Sequence, residues 1–280
     1  MNQLYVERLI LSFLEEDLGF CGDLSSAPLP EKRCTAEVIV KEESLICGIP
    51  FFEKVFSLLD RGVSFKWNVK DGDKVQASSV IGSVEGSLKA ILQGERTALN
   101  ILQKLSGIAT NTARYVEILE GSPVKLLDTR KTTPGWRVLE KYATRVGGAL
   151  NHRFGLYDAV MIKDNHIKAF GSIRDAVLKV KKIIPVTTKV EVEVENEEQL
   201  NEVLDVLDYV DIVMLDNWDL EKVASAVSVL KERKNSVKVE LSGGIDFQSL
   251  RLVKDLPVDY VSTSKIITAA KWIDISLELI

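Results

Sequence analysis

Six short apolar runs in the second half of the chain each end in polar or glycine residues. They are VKLLD before TRK, AVMI before KDNH, KVEVEV before EN, DIVML before DN, VKVEL before SGG and DYVS before TSK. Helical stretches separate most of them, at 173–184, 197–207, 220–231 and 247–255. A strand, a loop and a helix repeated every ~20–35 residues specify a parallel sheet with crossover helices. No GxGxxG follows the first of these strands. Residues of functional type instead stand at the C-terminal end of every strand, as in a barrel, whereas an open doubly wound sheet gathers them at one switch point. Only six strands are recognisable, so the reading is an incomplete (β/α) barrel.

The first part of the chain has a different pattern. Val6, Leu9, Ile10, Phe13 and Leu14 share one face of an opening helix that ends near Gly19. Residues 36–94 then read as short, partly alternating strands broken by glycines, with Asp71-Gly72-Asp73 as a hairpin-type signal. This predicts a small antiparallel sheet with a helix at 50–60 against it. Residues 95–119 carry the longest helical pattern, from Ala98 to Val116, and bridge the two parts.

Composition limits the function. The net charge is -5, which does not suggest a nucleic-acid partner. No apolar run approaches the roughly 20 residues needed to span a membrane. The opening MNQLYVERLILSFLEED lacks the basic start and cleavage site of a signal peptide. Cys21, Cys34 and Cys47 form no CxxC pair, which argues against a disulfide framework or a zinc site. The expected location is the cytoplasm. Charge is unevenly spread: residues 128–166 carry seven Lys/Arg against four Asp/Glu, while the rest of the chain carries -8. Such an island is either a focused anion pocket or a chance cluster on a solvated face.

The strand ends converge on one barrel mouth. They bring Arg130, Lys131, Lys163, Asp164, His166, Glu193, Glu195, Asp216, Ser242-Gly243-Gly244, Ser264 and Lys265. The segment after the first strand adds Arg137, Arg145, His152 and Arg153. Cations crowded into one pocket need an anionic ligand or nearby carboxylates, and the alternative is that they pair with Asp128, Asp164 or Glu140. Glu193 and Asp216 end successive strands and suit Mg²⁺ held beside substrate phosphates. Glu191, Glu193 and Glu195 share one face; turned inward they need a cation or a basic neighbour, and turned outward they are merely solvated. Ser242-Gly243-Gly244 is either a phosphate cradle or an ordinary tight turn. These features specify a barrel enzyme for a polyanionic, phosphate-bearing substrate with a divalent cation, and leave the reaction open.

Leu127 to Gly135, LDTRKTTPG, resembles the signature of quinolinate phosphoribosyltransferases. The resemblance runs along nearly the whole chain, through ERTALN at 95–100, LSGIAT at 105–110, NHRFGL at 151–156, IKDNHI at 162–167, EVEVE at 191–195, MLDN at 214–217 and SGGI at 242–245. It implies an N-terminal α/β sandwich at 1–104, with 271–280 packing back on it, and an incomplete α/β barrel at 105–270. It also implies a homodimer with a shared active site, or a larger assembly of dimers. The implied reaction converts quinolinate and phosphoribosyl pyrophosphate, with Mg²⁺, to nicotinate mononucleotide, pyrophosphate and carbon dioxide. In that reading Arg130, His152 and Arg153 bind the two carboxylates, joined by Arg96 from the partner subunit. Lys131 and Lys163 face the pyrophosphate and carboxylate region, and Glu193 and Asp216 organise Mg²⁺ and the ribose. Ser242, Gly243, Gly244 and Ser264 hold the 5′-phosphate.

The chain departs from that family's pattern at Ala149, at Trp136 and in the last barrel loop, Ser264-Lys265-Ile266-Ile267-Thr268-Ala269. Three rival readings share part of this pattern: a molybdenum-uptake paralogue of the same fold, a barrel aldolase using Lys163, and an idle anion-binding protein. The intact DTRKTT and KDNH segments oppose the first. The aldolase would trap a carbonyl substrate on Lys163, and the carboxylate pair Glu193 and Asp216 opposes the third.

Overall fold

A computed structural model describes residues 1–280. In chain order the elements are α1 (Gln3–Leu18), β1 (Arg33–Val40), β2 (Ser44–Leu45), α2 (Ile49–Leu59), β3 (Ser64–Trp67), β4 (Lys74–Val75), β5 (Ser79–Ser87) and α3 (Leu88–Ile118). Then follow β6 (Lys125–Leu127), α4 (Arg137–Val146), β7 (Val160–Ile162), α5 (Asp164–Phe170), α6 (Ile173–Lys181), β8 (Val190–Val194), α7 (Glu197–Leu204) and β9 (Ile212–Asp216). The chain closes with α8 (Leu220–Arg233), β10 (Lys238–Ser242), α9 (Phe247–Val253), β11 (Tyr260–Ser262), α10 (Lys265–Thr268) and β12 (Ile275–Leu279). They form two compact units: one of residues 1–113, 133–148 and 269–280, the other of 114–132 and 149–268.

The first unit is built on an antiparallel sheet in the order β12-β1-β5-β3. Alternation in β1 buries Ala36, Val38 and Val40 on one face. Helix α1 starts where the Asn2 side chain accepts the N–H groups of Leu4 and Tyr5, and ends at Gly19, whose φ of 54° suits a residue without a Cβ. Its buried stripe is Val6, Ile10 and Leu14.

Two expectations need correction here. Asp71-Gly72-Asp73 does not join a hairpin, because β3 pairs with β5 while β4 pairs with β2. Asp71 instead caps a helix: its carboxylate accepts the N–H groups of Gly48 and Ile49 at 3.0 Å and the Tyr142 hydroxyl at 2.7 Å. Residues 88–94 are the start of α3, not strand, so that helix runs 31 residues. The two compact units meet at 113/114 within α3, and α4 with Arg137 and Arg145 belongs to the first. Short-range patterning could not assign α4, whose anchors are distant in sequence: Lys104 pairs with buried Glu140 at 3.0 Å, and Tyr142 reaches Asp71.

The second unit is a six-stranded parallel sheet in the order β6-β11-β10-β9-β8-β7. Beside β6, Leu150 forms a single bridge to Leu127, and β7 is not paired with β6. The ring of strands is thus incomplete, as six strand-forming runs imply. Register decides what each face carries, since paired residues on neighbouring strands point the same way. Val194, Leu215, Leu241 and Val261 pair in sequence across β8 to β11 and are fully buried or nearly so. The opposite face carries Glu193, Met214, Glu240 and Tyr260 in one row, with Asp216 beside Ser242 in the next.

Replacing Asp71 with Ala leaves two helix-start N–H groups and a tyrosine hydroxyl without their acceptor. Urea denaturation should show Asp71→Ala losing about 2 kcal/mol, the upper end for a helix cap.

Candidate active site at the strand ends of the second unit

The side chains at the C-terminal ends of β6 to β11 form an array of opposite charges. Arg130 and Lys131 follow β6, Lys163 follows β7, Glu193 and Glu195 lie at the end of β8, and Asp216 ends β9. Ser242 ends β10, and Ser264 stands between β11 and α10.

The cations are poised rather than neutralised. Arg153 is half-buried, and its guanidinium is held below the ordinary arginine value by burial and by the charge of Arg130 beside it. The Arg130 Nε is buried and has no hydrogen-bond partner. A buried donor on a cation costs free energy until an acceptor arrives. Two guanidiniums facing one space suit a dianion with two carboxylates. Lys163 is exposed, and its main-chain N–H donates to His166 Nδ1 at 3.2 Å. Lys131 donates its own N–H to Thr129 Oγ1 at 3.0 Å, which shapes the turn after β6.

The acids form a graded row. Along β8 Glu191 is buried, Glu193 half-buried and Glu195 exposed, so the alternation EVEVE is turned inward. Glu193, Glu195 and Asp216 each bring a carboxylate oxygen within 4.8 Å of the others. Burial first, and then the neighbouring charge of Asp216, push the Glu193 carboxyl up to about 7; Lys163 opposes the shift. The excess negative charge there is what a divalent cation relieves. Mg²⁺ prefers oxygen ligands and keeps several waters, so an open acidic set of this kind fits it.

Beside the acids, Lys131, Asp216, Ser242, Gly243, Gly244 and Ser264 line a cavity of about 220 Å³. Gly243 and Gly244 have φ of 93° and 62°, the left-handed region that favours glycine. At Gly243 a Cβ would also collide with the Asn217 side-chain carbonyl. Their backbone is therefore close to its neighbours and free of side chains, as a phosphate cradle requires. Thr263 Oγ1 donates to Ile245 O at 2.8 Å and ties the last two loops of the cradle together.

His152 turns inward. Its Nε2 lies 2.9 Å from Glu191 and 3.6 Å from Glu240, with the side chain 10% exposed. Its main-chain N–H donates to Asp128, which also accepts from the Asn151 amide. Arg96 lies on α3 in the first unit, lining a cavity of about 250 Å³ with Asp17, Asn100 and Trp136. Trp136 stacks on Phe13 with ring centres 4.8 Å apart, and the Lys104 ammonium lies over its ring. The tryptophan departure thus has a packing role in that unit.

Sequence reading passed over two contributors. Asn217 sits at φ 56°, donates its main-chain N–H to Ser242 O at 3.0 Å, and donates its amide to Asp216 at 2.7 Å. A left-handed asparagine after an acid was its only local signal. Glu240, an acid inside the apolar run VKVEL, is fully buried facing His152 and Glu191.

Glu193 binds its proton more tightly folded than unfolded. Ionised in both states above about 7, it opposes folding, and the opposition fades as pH falls toward the ordinary value of 4.5. Melting curves in a chelator should therefore show Glu193→Gln more stable than the parent at pH 8 and no more stable at pH 4.5. Equal gains at both values would remove the charge explanation.

Comparison with known proteins agrees with the geometry. Residues 108–278 match the quinolinate phosphoribosyl transferase C-terminal domain, and residues 23–106 match its N-terminal domain. A protein of Bacillus subtilis described as a probable nicotinate-nucleotide pyrophosphorylase (carboxylating) is 42% identical, over 100% of this chain and 95% of its own. One from Synechocystis with the same description is 40% identical, over 99% and 93%. The crystal structure of NadC from Streptococcus pyogenes superposes with a TM-score of 0.91 at 38% identity, covering 100% of this chain and 99% of that one. The nicotinate-nucleotide pyrophosphorylase structure from Francisella tularensis gives 0.92 at 40%, covering 100% and 98%. With both domains matched and relatives of this similarity along its whole length, the chain belongs to the quinolinate phosphoribosyltransferase family.

Proposed function

We infer that the protein is a decarboxylating phosphoribosyltransferase that joins quinolinate to phosphoribosyl pyrophosphate, giving nicotinate mononucleotide, pyrophosphate and carbon dioxide for NAD biosynthesis. One observation carries this reading beyond family membership. Two adjacent guanidiniums, one with an unpartnered buried donor, stand in the same barrel end as an acid pair and a glycine cradle. A dicarboxylate, a ribose with its leaving group and a 5′-phosphate are the anions that such a set accommodates.

Arg130 and Arg153 hold the carboxylates of quinolinate as bidentate partners, joined by His152. Main-chain N–H groups of Gly243 and Gly244 and the hydroxyls of Ser242 and Ser264 take the 5′-phosphate. Glu193 and Asp216 hold Mg²⁺, which would supply charge stabilisation to the departing pyrophosphate. Lys131 and Lys163 add positive charge to the same leaving group. As the anomeric carbon becomes electron-poor, the negative charge of Glu193 and Asp216 stabilises it. The pyridine nitrogen attacks, becomes cationic, and receives the electron pair left when the adjacent carboxylate departs as carbon dioxide. The substrate is its own electron sink, so no organic cofactor is needed.

The working form in this reading is a homodimer, or an assembly of dimers, in which Arg96 enters the partner's site. It acts in the cytoplasm, a placement supported by three free cysteines. No helix of the chain is long and apolar enough to cross a membrane.

Purified protein given quinolinate, phosphoribosyl pyrophosphate and Mg²⁺ should release nicotinate mononucleotide and carbon dioxide in equal amounts, and nicotinate should not replace quinolinate. Lys163→Ala should lower kcat by about 100-fold or more, the scale for losing one charge that acts on the transition state. Product formation that survives a strong chelator unchanged would remove Mg²⁺ from this account. Mixing inactive Arg96→Ala and Lys163→Ala proteins under subunit exchange should restore about a quarter of wild-type activity, because roughly half the dimers are hybrids with one complete site each. No recovery would exclude the shared site.

A further inference from the structure

One residue ties the turn after β9 to the end of β10. Among residues other than glycine, only Ser78 and Asn217 have a positive φ, and Asn217 stands at 56°. That left-handed region is costly for a residue with a Cβ, and asparagine bears the cost more readily than most. Asn217 is exposed, so burial does not demand the conformation. What the conformation accomplishes is local: the side chain and main chain of one residue reach both strand ends.

Three ties result. The amide nitrogen donates to Asp216 Oδ2 at 2.7 Å. A carboxylate oxygen accepts, so the NH₂ group faces Asp216 and the amide carbonyl is turned away from it. That carbonyl lies against Gly243, where an added Cβ would collide with it and would stand 2.6 Å from both the amide carbon and the main-chain nitrogen of Asn217. The main-chain N–H donates to Ser242 O at 3.0 Å and so continues the pairing of Asp216 with Ser242 in the sheet. Asp216, Asn217, Gly243 and Gly244 all line the cavity of about 220 Å³. Its carboxylate and its backbone cradle are therefore spaced through a single side chain.

We propose that Asn217 is a positioning residue: it sets the separation of the Asp216 carboxylate from the Gly243 and Gly244 cradle, and with it the length of phosphorylated sugar that the cavity accepts. Asn217 holds one oxygen of Asp216 and leaves the other to a ligand, while its carbonyl keeps the Gly243 backbone at contact distance. A ligand that touches the cradle alone does not read this separation. One that carries a phosphate and hydroxyl groups on the same sugar does. The phosphoribosyl side of the inference rests on the reaction proposed above. The two guanidiniums stand on other segments, Arg130 after β6 and Arg153 before β7, so the quinolinate end does not depend on Asn217.

Asn217→Gly keeps the left-handed backbone and removes the amide. Asn217→Asp keeps the shape but puts an oxygen where the donor to Asp216 stood. Both should raise the KM for phosphoribosyl pyrophosphate by about 10- to 100-fold, the scale for losing a partner that orients a liganding carboxylate, and leave the KM for quinolinate within about twofold. A fold that is merely weakened would lower kcat by shrinking the active fraction and would move neither KM. An unchanged KM for phosphoribosyl pyrophosphate, or equal rises for both substrates, would overturn the proposal. Titration calorimetry in Mg²⁺ gives a second readout without turnover. Asn217→Gly should lose about tenfold or more in affinity for ribose 5-phosphate and much less for inorganic phosphate. Equal losses for the two probes would mean that Asn217 only shapes the cradle, and the spacing role would fall. Wild type that binds ribose 5-phosphate, and loses it selectively in the variant, yet does not convert quinolinate would refute the reaction and leave the spacing standing. Normal conversion of quinolinate with no change in the KM for phosphoribosyl pyrophosphate in either variant would refute the spacing alone.

Discussion

Neutralising the acids on the inner face of the parallel sheet is the requirement on which the second unit depends. Strand β8 presents Glu191 and Glu193 on the side opposite its buried valines, and β9 and β10 add Asp216 and Glu240. A barrel interior of this kind is ordinarily filled by branched apolar side chains. Here each acid meets a different solution, ordered by depth. At the bottom the His152 ring stands against the pair, with Nε2 2.9 Å from Glu191 and 3.6 Å from Glu240. Higher up, Lys163 partly offsets Glu193. At the open end Glu195 is in water. The same strand pattern therefore produces a structural network below and a reactive site above.

The site's cations obey the reverse logic. Arg130 and Arg153 repel one another, Glu191 and Asp158 offset part of the Arg153 charge, and the main chain at 152–153 is held by Asp128 and the His152 ring. In the proposed reaction, guanidiniums kept available in this way meet a dicarboxylate with little reorganisation. Under the same proposal, the neutral backbone of Gly243 and Gly244 takes the phosphate without adding charge beside Asp216. Separating guanidiniums, carboxylates and a backbone cradle within one strand-end array lets a single barrel receive three differently shaped anionic groups.

Much of this was legible in linear order. Six apolar runs with polar endings specify parallel strands and place their ends together, and EVEVE marks an inward acidic row once one face is known to be buried. The DTRKTTPG, NHR and KDNH segments carry the family. Other features were not legible. Asp71-Gly72-Asp73 has the composition of a hairpin turn, and only its position against Gly48 and Ile49 makes it a helix cap. Helix α4 follows the first barrel strand in sequence yet belongs with the first unit, tied by Glu140 and Tyr142 to residues far away in the chain.

His152 shows where the division lies. Its residue type and place in the NHR segment were enough to mark it for the site. Which nitrogen carries its proton, and so whether it is a cation, a metal ligand or a neutral support, depends on Arg153 N–H at one side and Glu191 with Glu240 at the other. Periodicity and residue type are properties of neighbours along the chain, so the sequence by itself determined the strand order of residue types and the chemistry available at each strand end. Protonation, tautomer and orientation depend on groups brought together from β6, β8, β10 and their loops. Only the tertiary structure decided those, because electrostatics and hydrogen bonding act through distances in space.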